Sequence, residues 1–250
     1  MAGGTGTVGR HVVESLRAAG HEPIVLTRST GVDLMSGDGL AAVLRGADAV
    51  VDVTSVGTSA GSVSERFFRT VTTNLLAAEE VAGVPHHLAL SIVGAAQIGA
   101  AYYAGKRIQE ELVMAAEGRW TIARATQFHE FIFQIMPPGT VGPLQLVPTI
   151  VAQPIAAAEA GAIIARIAVA GPAGLTPDIA GPKAERFADL IRRYLRATGS
   201  RRPVLQVPFP GVWGRSLRDG SLLPTGTAIL GTQTFDEWLH AVTSAASSTR

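Results

Sequence analysis

Residues 3–9 read Gly3-Gly4-Thr5-Gly6-Thr7-Val8-Gly9, almost at the first residue of the chain. The stretch satisfies two overlapping spacings, Gly3-x-x-Gly6-x-x-Gly9 and Gly4-x-Gly6-x-x-Gly9. Because glycine has no Cβ and tolerates positive φ, the backbone N–H groups of such a loop approach a pyrophosphate closely. A helix that follows the loop adds the partial positive charge of its N-terminus. The whole stretch therefore predicts a dinucleotide-binding loop.

The residues after the loop agree with this prediction. Val12, Val13 and Leu16 recur at helical spacing, and Gly20 is suited to end the helix. The apolar run Glu22-Pro23-Ile24-Val25-Leu26-Thr27 then predicts a buried parallel strand. Only Met1 and Ala2 precede the loop, so we expect the first strand of the sheet to be missing. A start assigned too late is the simplest explanation.

Strand and helix signals alternate through residues 1–127 and predict an α/β fold, a Rossmann-type doubly wound parallel sheet. The predicted strands cover 49–54, 87–92 and 121–124, and the predicted helices cover 64–82 and 102–116. After residue 128 prolines cluster and the pattern becomes irregular, apart from a helix between Pro182 and Gly199. We expect 1–127 to form the nucleotide-binding core and 128–250 a small substrate-covering lobe, integrated with the core as one domain.

Composition excludes several classes of function. The chain has 250 residues, 47% hydrophobic and 16% charged, with a net charge of +1, which favours neither nucleic acid nor an anionic membrane as partner. It has no cysteine, so disulfides, thiolate metal sites and cysteine nucleophiles are excluded. His86-His87 and His129-Glu130 lack a metal-ligand spacing, so no metal site is predicted. Without a signal peptide or long apolar run, we expect a cytoplasmic protein.

The end of the second predicted strand indicates which dinucleotide is bound. An acidic residue there holds a ribose 2′-hydroxyl, whereas an arginine accommodates a 2′-phosphate. This chain has Thr27-Arg28-Ser29, a guanidinium between two hydroxyls. The sequence therefore favours NADP(H) over NAD(H), with a solvated Arg28 as the alternative.

A second group of residues predicts proton transfer. Tyr102 and Lys106 are four residues apart, so they share one face of a helix. An ammonium beside a phenol lowers its pKa and helps it donate a proton to a carbonyl near neutral pH. Ser91, at the end of the preceding strand, is placed to hold the same oxygen.

Seven stretches together point to one family: residues 3–9, Thr27-Arg28, Leu90-Ser91-Ile92-Val93-Gly94, Tyr102-x-x-x-Lys106, Arg124-Ala125-Thr126-Gln127-Phe128, Ala180-Gly181-Pro182 and Thr234-Phe235-x-x-Trp238-Leu239. With them the chain resembles the atypical short-chain dehydrogenases/reductases of the NmrA-like, NAD(P)H-binding group. The resemblance implies that Ser91, Tyr102 and Lys106 transfer the proton, with Lys106 also on the nicotinamide ribose. It further implies a water-linked relay through Asn74 and an adenine contact by Asp33. The loop that begins at Thr54-Ser55 faces the cofactor in such a sheet.

The function predicted from these residues is an NADP(H)-dependent oxidoreductase that transfers hydride between nicotinamide and a carbonyl or quinone. Gln127, Phe128 and Phe131 are the candidate substrate contacts, and an apolar wall there suits a quinone, an aromatic aldehyde or a hydrophobic ketone. The main alternative is a redox sensor, since NmrA-like proteins include members that bind the cofactor without turnover. A distant third is a serine hydrolase, because Gly57-Thr58-Ser59-Ala60-Gly61 matches a nucleophile elbow, with Asp178 or Asp189 and His240 as partners.

Overall fold

The structure is a computed structural model, and it describes residues 1–116 and 119–248, the last three of these by their backbone alone. Its helices are α1 (Gly9–Ala18), α2 (Leu40–Val43), α3 (Gly61–Ala82), α4 (Tyr102–Ala115), α5 (Ile132–Gly139), α6 (Ala157–Ala170), α7 (Phe187–Ala197), α8 (Gly211–Ser216) and α9 (Phe235–Ser248). Its strands are β1 (Val50–Asp52), β2 (His87–Ile92), β3 (Trp120–Ala125), β4 (Thr140–Val141), β5 (Leu144–Pro148), β6 (Val151–Ala152), β7 (Gly174–Leu175), β8 (Asp178–Ala180), β9 (Glu185–Arg186), β10 (Val204–Val207) and β11 (Ala228–Leu230).

The chain divides into two compact units. The first contains Met1–Ala125 and Ala160–Pro177, and the second contains Thr126–Glu159 and Asp178–Arg250. The first unit therefore contains most of α6. This helix was not predicted from the sequence, because prolines cluster before it and the pattern there is irregular.

A parallel sheet forms the centre of the first unit. Strand β1 pairs with β2, β2 pairs with β3 and β3 pairs with β7, all in parallel. The residues of β1 and β2 are almost entirely buried, as expected for strands covered on both faces by helices. The predicted Rossmann-type, mostly parallel sheet with flanking helices is confirmed.

Ala2 lies between the second predicted strand and β1, where the sequence analysis expected a strand to be missing. It forms parallel bridges to both Leu26 and Asp52, and it is completely buried. Its N–H donates to the Val51 carbonyl at 3.0 Å. The strand predicted for 22–27 is reduced to the single bridge at Leu26.

The helices of this unit pack closely through two glycines. A Cβ on Gly161 in α6 would lie 2.6 Å from the His11 Cβ in α1. A Cβ on Gly105 in α4 would lie 2.6 Å from the Phe68 ring in α3. Both glycines therefore allow helix–helix distances that any larger residue would prevent.

The second unit is built from short strands and the four helices α5, α7, α8 and α9. Buried apolar side chains of these elements form its core. In this unit β5 pairs in parallel with β10 and antiparallel with β4, β8 pairs with β11, and β6 pairs with β9. Helix α7 buries one face, as predicted, and Gly199 follows its end at φ 77°. It begins at Phe187 rather than near Pro182, because the residues between them include β9. No helix among the described residues has the length and apolar character needed to cross a bilayer.

Candidate active site

The glycine loop folds back on itself before α1. Gly3 has φ 76°, and a Cβ on it would lie 2.7 Å from the Val53 carbonyl oxygen. The Gly6 N–H donates to the Gly3 oxygen at 2.9 Å, and a Cβ on Gly9 would collide with that same oxygen. No side chain in this described segment caps the N-terminus of α1, and Thr5 to Thr7 are exposed. These features agree with the predicted dinucleotide-binding loop, and a pyrophosphate contact by residues 3–9 stays a prediction.

A single turn of 3-10 helix, Arg28–Thr30, follows the Leu26 bridge. The Thr27 hydroxyl lies 2.8 Å from the Ser29 hydroxyl, and the Thr27 N–H donates to the Thr30 hydroxyl at 3.2 Å. The Arg28 side chain is exposed beside these hydroxyls. The turn brings three hydroxyls together, those of Thr27, Ser29 and Thr30, and it carries the exposed Arg28 side chain. Thr30 was not among the residues predicted from the sequence.

Asp33 and Asn74 stabilise the loop that follows this turn. An Asp33 carboxylate oxygen accepts the Met35 N–H at 2.7 Å. The Asn74 amide donates to the carbonyls of Leu34 and Met35, both at 3.0 Å. The structure therefore brings Asn74 to the Asp33 loop, where its amide is engaged, and does not join it to the Tyr102 hydroxyl. The adenine contact of Asp33 and the relay through Asn74 stay predictions.

Lys106 is buried and its ammonium has three acceptors. It donates to the Leu90 carbonyl at 2.7 Å, to the Gln109 side-chain oxygen at 2.8 Å and to the Thr54 carbonyl at 3.3 Å. The Phe68 ring lies beneath it, with 4.3 Å from Nζ to the ring centroid. Loss of solvation on burial lowers the pKa of Lys106 to about 8, against the opposing effect of the carboxylates of Asp52 and Glu110.

Tyr102 begins α4 and places its ring edge-on to Phe68, at 5.6 Å between centroids. Its hydroxyl lies 3.1 Å from the Ser55 hydroxyl. Loss of solvation raises the pKa of the phenol to about 12, and the hydrogen bond to Ser55 only partly opposes this. The prediction that Lys106 lowers this pKa is therefore wrong for this structure, because the lysine donates its hydrogens to the carbonyls and the Gln109 amide instead.

Two buried hydroxyls near the carboxyl ends of β1 and β2 have no hydrogen-bond partner among the described residues. They are Ser91 Oγ and Thr54 Oγ1, on residues that are 3% and 5% exposed. The last register pair of these strands is Asp52 with Ala89, so Thr54 and Ser91 each follow two residues later. A buried hydroxyl without a partner costs free energy unless a ligand supplies one. Both hydroxyls are therefore available to a ligand at the carboxyl ends of these strands, and their contact with a cofactor or substrate stays a prediction.

The predicted nucleophile elbow at Ser59 is not formed. Such an elbow needs a sharp, strained turn between a strand and a helix. Here β1 ends at Asp52, seven residues before Ser59, and Ser59 is exposed in the loop that leads to α3. Ala101 is the one non-glycine residue with positive φ in the described parts of the chain, so Ser59 is not strained in this way.

The candidate substrate contacts lie in the second unit. Phe128 forms a parallel bridge with Ile155, and the Gln127 carbonyl accepts the Ile155 N–H at 3.0 Å. Phe131 packs edge-on against Phe187, with 5.6 Å between ring centroids. Phe131 thus contributes to the packing of this unit, and a substrate contact by Gln127, Phe128 or Phe131 stays a prediction.

Asp52 and Gln109 belong to the site but were not predicted. The Gln109 amide donates to one Asp52 carboxylate oxygen at 2.7 Å, and the other accepts the Thr54 N–H at 2.9 Å. Both side chains are fully buried. A carboxylate inside an apolar strand, and a glutamine three residues after Lys106, were the signals in the sequence that could have revealed them.

The sequence profile of the NAD(P)H-binding family matches residues 3–131, more than half of the chain. The chain belongs to the NAD(P)H-binding family. The match includes the glycine loop, the Thr27–Thr30 turn and the Tyr102–Lys106 helix of this family member. No curated protein matches the chain in sequence.

Solved structures that resemble this NAD(P)H-binding protein share its fold over nearly their whole length. An NADPH-dependent quinone oxidoreductase from Escherichia coli, solved with NADPH, is 17% identical, with 96% of this chain and 98% of that one covered and a TM-score of 0.72. The UDP-N-acetylglucosamine 4-epimerase of Bacillus cereus is 19% identical, with 96% and 94% covered and a TM-score of 0.67. A short-chain dehydrogenase/reductase superfamily protein from Agrobacterium tumefaciens, with bound NAD, is 18% identical, with 99% and 96% covered and a TM-score of 0.66.

Proposed function

We propose that the protein is an NADP(H)-dependent oxidoreductase that reduces an apolar carbonyl or quinone. The observation that carries this proposal is the pair of buried, unpartnered hydroxyls of Thr54, just after β1, and Ser91, near the end of β2. The Lys106 ammonium is bound to carbonyls of the same two segments, those of Thr54 and Leu90. The ends of parallel strands are where open α/β sheets bind ligands. The family match and the likeness to an NADPH-dependent quinone oxidoreductase support the same class of reaction.

In this proposal the glycine loop holds the pyrophosphate, and the Thr27–Thr30 turn holds the 2′-phosphate through Arg28. The cofactor supplies a hydride when it is bound. An exposed arginine in a turn with three hydroxyls is the basis for preferring NADP(H), because a charge-assisted hydrogen bond to phosphate is stronger than a neutral one.

Tyr102 and Ser91 are the residues that act on the substrate oxygen. The Tyr102 phenol, with its pKa raised to about 12, is protonated throughout the neutral range. It donates this proton to the substrate oxygen as hydride transfer makes that oxygen strongly basic. The Ser91 hydroxyl donates a hydrogen bond to the same oxygen, which satisfies an otherwise unpartnered group. One hydride to carbon and one proton to oxygen balance the reduction of a carbonyl to an alcohol.

The substitution Tyr102→Phe tests this function. It keeps the ring on Phe68 and removes only the hydroxyl, so we expect turnover to fall about 10²–10⁴-fold while NADPH affinity stays nearly unchanged. The matched control is Tyr103→Phe, the same chemical change at the next residue, which should retain parental turnover. The assay is NADPH consumption with a panel of quinones and carbonyls. Equal rates for Tyr102→Phe and the parent would remove Tyr102 as the acid.

The second candidate is a cofactor-binding sensor without turnover, and two observations favour it. The Lys106 hydrogens are directed to internal acceptors, and the pKa of Tyr102 is raised rather than lowered. A protein that binds NADPH with micromolar or tighter affinity but reduces no member of a broad panel would support the sensor. Measurable reduction of a single quinone or carbonyl would decide for the enzyme.

A further inference from the structure

Three buried side chains form a continuous line from β1 to the strand ends. Asp52 accepts from the Gln109 amide at 2.7 Å, and the Gln109 oxygen accepts from Lys106 at 2.8 Å. Asp52 and Gln109 are fully buried, and Lys106 is 4% exposed. Gln109 therefore lies between the buried Asp52 carboxylate and the buried Lys106 ammonium and is hydrogen-bonded to both.

The hydrogen bonds leave Gln109 a single orientation. A carboxylate only accepts and an ammonium only donates, so the amide nitrogen must face Asp52 and the oxygen must face Lys106. Asp52 is held in turn by the Thr54 N–H at 2.9 Å, and the Thr54 carbonyl is one of the lysine acceptors. Each group is therefore positioned by the next.

The three lysine contacts differ in length, which shows where the ammonium is least firmly held. The contacts to Leu90 and Gln109 are 2.7 and 2.8 Å, and the contact to the Thr54 carbonyl is 3.3 Å. The longest contact is the weakest, and it lies beside the unpartnered Thr54 hydroxyl. A ribose hydroxyl could replace this acceptor while the other two remain.

We propose that Gln109, oriented by Asp52, is a positioning residue that anchors the Lys106 ammonium at the ends of β1 and β2 and leaves one donor direction for the cofactor. This inference rests on the proposed cofactor-binding function. It assigns no contact with the cofactor to Gln109 or Asp52, which act only through Lys106. The described charged groups that act on this ammonium are the carboxylates of Asp52 and Glu110.

The sequence makes this proposal unusually accessible to measurement, because Lys106 and Lys183 are its only two lysines. Lysine labelled with ¹³C therefore gives two side-chain signals, and Lys183→Arg assigns them. In the parent protein we expect Lys106 to titrate near pH 8. Because the Lys106 ammonium is buried and hydrogen-bonded, its hydrogens should exchange with water more slowly than those of the exposed Lys183. Fast exchange equal to that of Lys183 would overturn the proposal without any variant at the site.

Variants then separate positioning from packing. Asp52→Asn removes a carboxylate that favours the charged lysine, so Lys106 should titrate at lower pH than in the parent. Gln109→Met removes the amide link and should weaken NADPH binding about 10- to 100-fold. If these variants melt at lower temperature yet keep the parental lysine titration and NADPH affinity, the proposal fails and both residues serve packing alone.

The double variant Asp52→Asn with Gln109→Glu is the matched control, since it exchanges the acid and the amide without changing net charge. The new carboxylate accepts directly from both Lys106 and the new amide, so NADPH affinity should return to within about threefold of the parent. Lys106 should titrate above its parental pH, because the carboxylate now touches the ammonium. A folded double variant would contradict the proposal if its NADPH affinity stayed as low as that of Gln109→Met and its Lys106 titrated no higher than in the parent.

These outcomes are distinguishable from failure of the proposed function. The lysine titration and hydrogen exchange need no cofactor, so they report on the Gln109 anchor even if the parent binds no NADPH. Absence of NADPH binding in the parent would defeat the proposed function, whereas normal binding in Gln109→Met with an unchanged titration would defeat only the anchor.

Discussion

Replacing Gly105 by alanine should destabilise the protein and disturb the proton-transfer helix. A Cβ at this position would lie 2.6 Å from Phe68 Cδ2 and 2.6 Å from the Ser64 carbonyl carbon, about 0.8 Å short of the 3.4 Å at which ordinary contact begins. Ser64 and Phe68 are both completely buried, so neither is free to move aside. The Ser64 hydroxyl also donates to the Tyr102 carbonyl at 2.9 Å, a bond that separation of α3 and α4 would break.

Two destabilising contributions and one stabilising contribution set the expected change in the free energy of unfolding. Overpacking of a core costs about 1–3 kcal/mol, and loss of one partly buried hydrogen bond costs about 0.5–1.5 kcal/mol. Alanine recovers about 1 kcal/mol relative to glycine inside a helix. We therefore expect Gly105→Ala to lower the free energy of unfolding by about 1–3 kcal/mol, measured by urea denaturation with an unchanged m-value.

Gly61→Ala provides the matched control for this experiment. Gly61 is also helical, but a Cβ on it would meet nothing closer than 3.5 Å, so this variant should be neutral or slightly stabilised. Because the Phe68 ring contacts both Tyr102 and the Lys106 ammonium, Gly105→Ala should also weaken NADPH binding, measured by calorimetry. If Gly105→Ala and Gly61→Ala had equal stability, the close packing of α3 on α4 would not be the reason for this glycine.

Two further predictions concern the cofactor and pH. Arg28→Ala should narrow the difference in binding free energy between NADPH and NADH by about 1–3 kcal/mol, measured by calorimetry. The control is Arg45→Ala, an equal charge change at another exposed arginine, which should leave this difference unchanged. Equal affinities of the parent protein for NADPH and NADH would refute the preference for NADP(H). The pKa of Lys106 is about 8 in the folded protein against the ordinary 10.5. Between pH 8 and 10.5 the unfolded chain therefore binds more protons than the folded protein. Because of this difference the free energy of unfolding should rise by about 3 kcal/mol from pH 8 to pH 10.5. Below pH 8 the burial penalty is fully present, and the raised pKa of Tyr102 lowers stability only above pH 10. Lys106→Met should abolish this rise in the free energy of unfolding with pH, and the control Lys183→Met should retain it. The same rise in Lys106→Met would show that another group causes it.

The sequence by itself determined the elements whose signals are local. The glycine spacing predicted the loop and α1, and β2 has the predicted bounds His87–Ile92. Helix α4 begins at Tyr102 as predicted and ends one residue earlier. Such features depend on glycine conformation and on helix or strand periodicity, which neighbouring residues express without help from distant ones. The same local signals were enough to place the chain in its family.

Only the tertiary structure decided how the charged and polar groups of the site are used. The Lys106 acceptors Leu90 and Thr54 lie 16 and 52 residues away in sequence, and Asp52 lies 57 residues from Gln109. The spacing of Tyr102 and Lys106 placed both on one helical face but gave no information on which acceptors the folded chain would bring to the lysine. A flexible side chain turns toward the strongest nearby acceptors, and desolvation then sets its pKa, so these properties depend on the assembled fold.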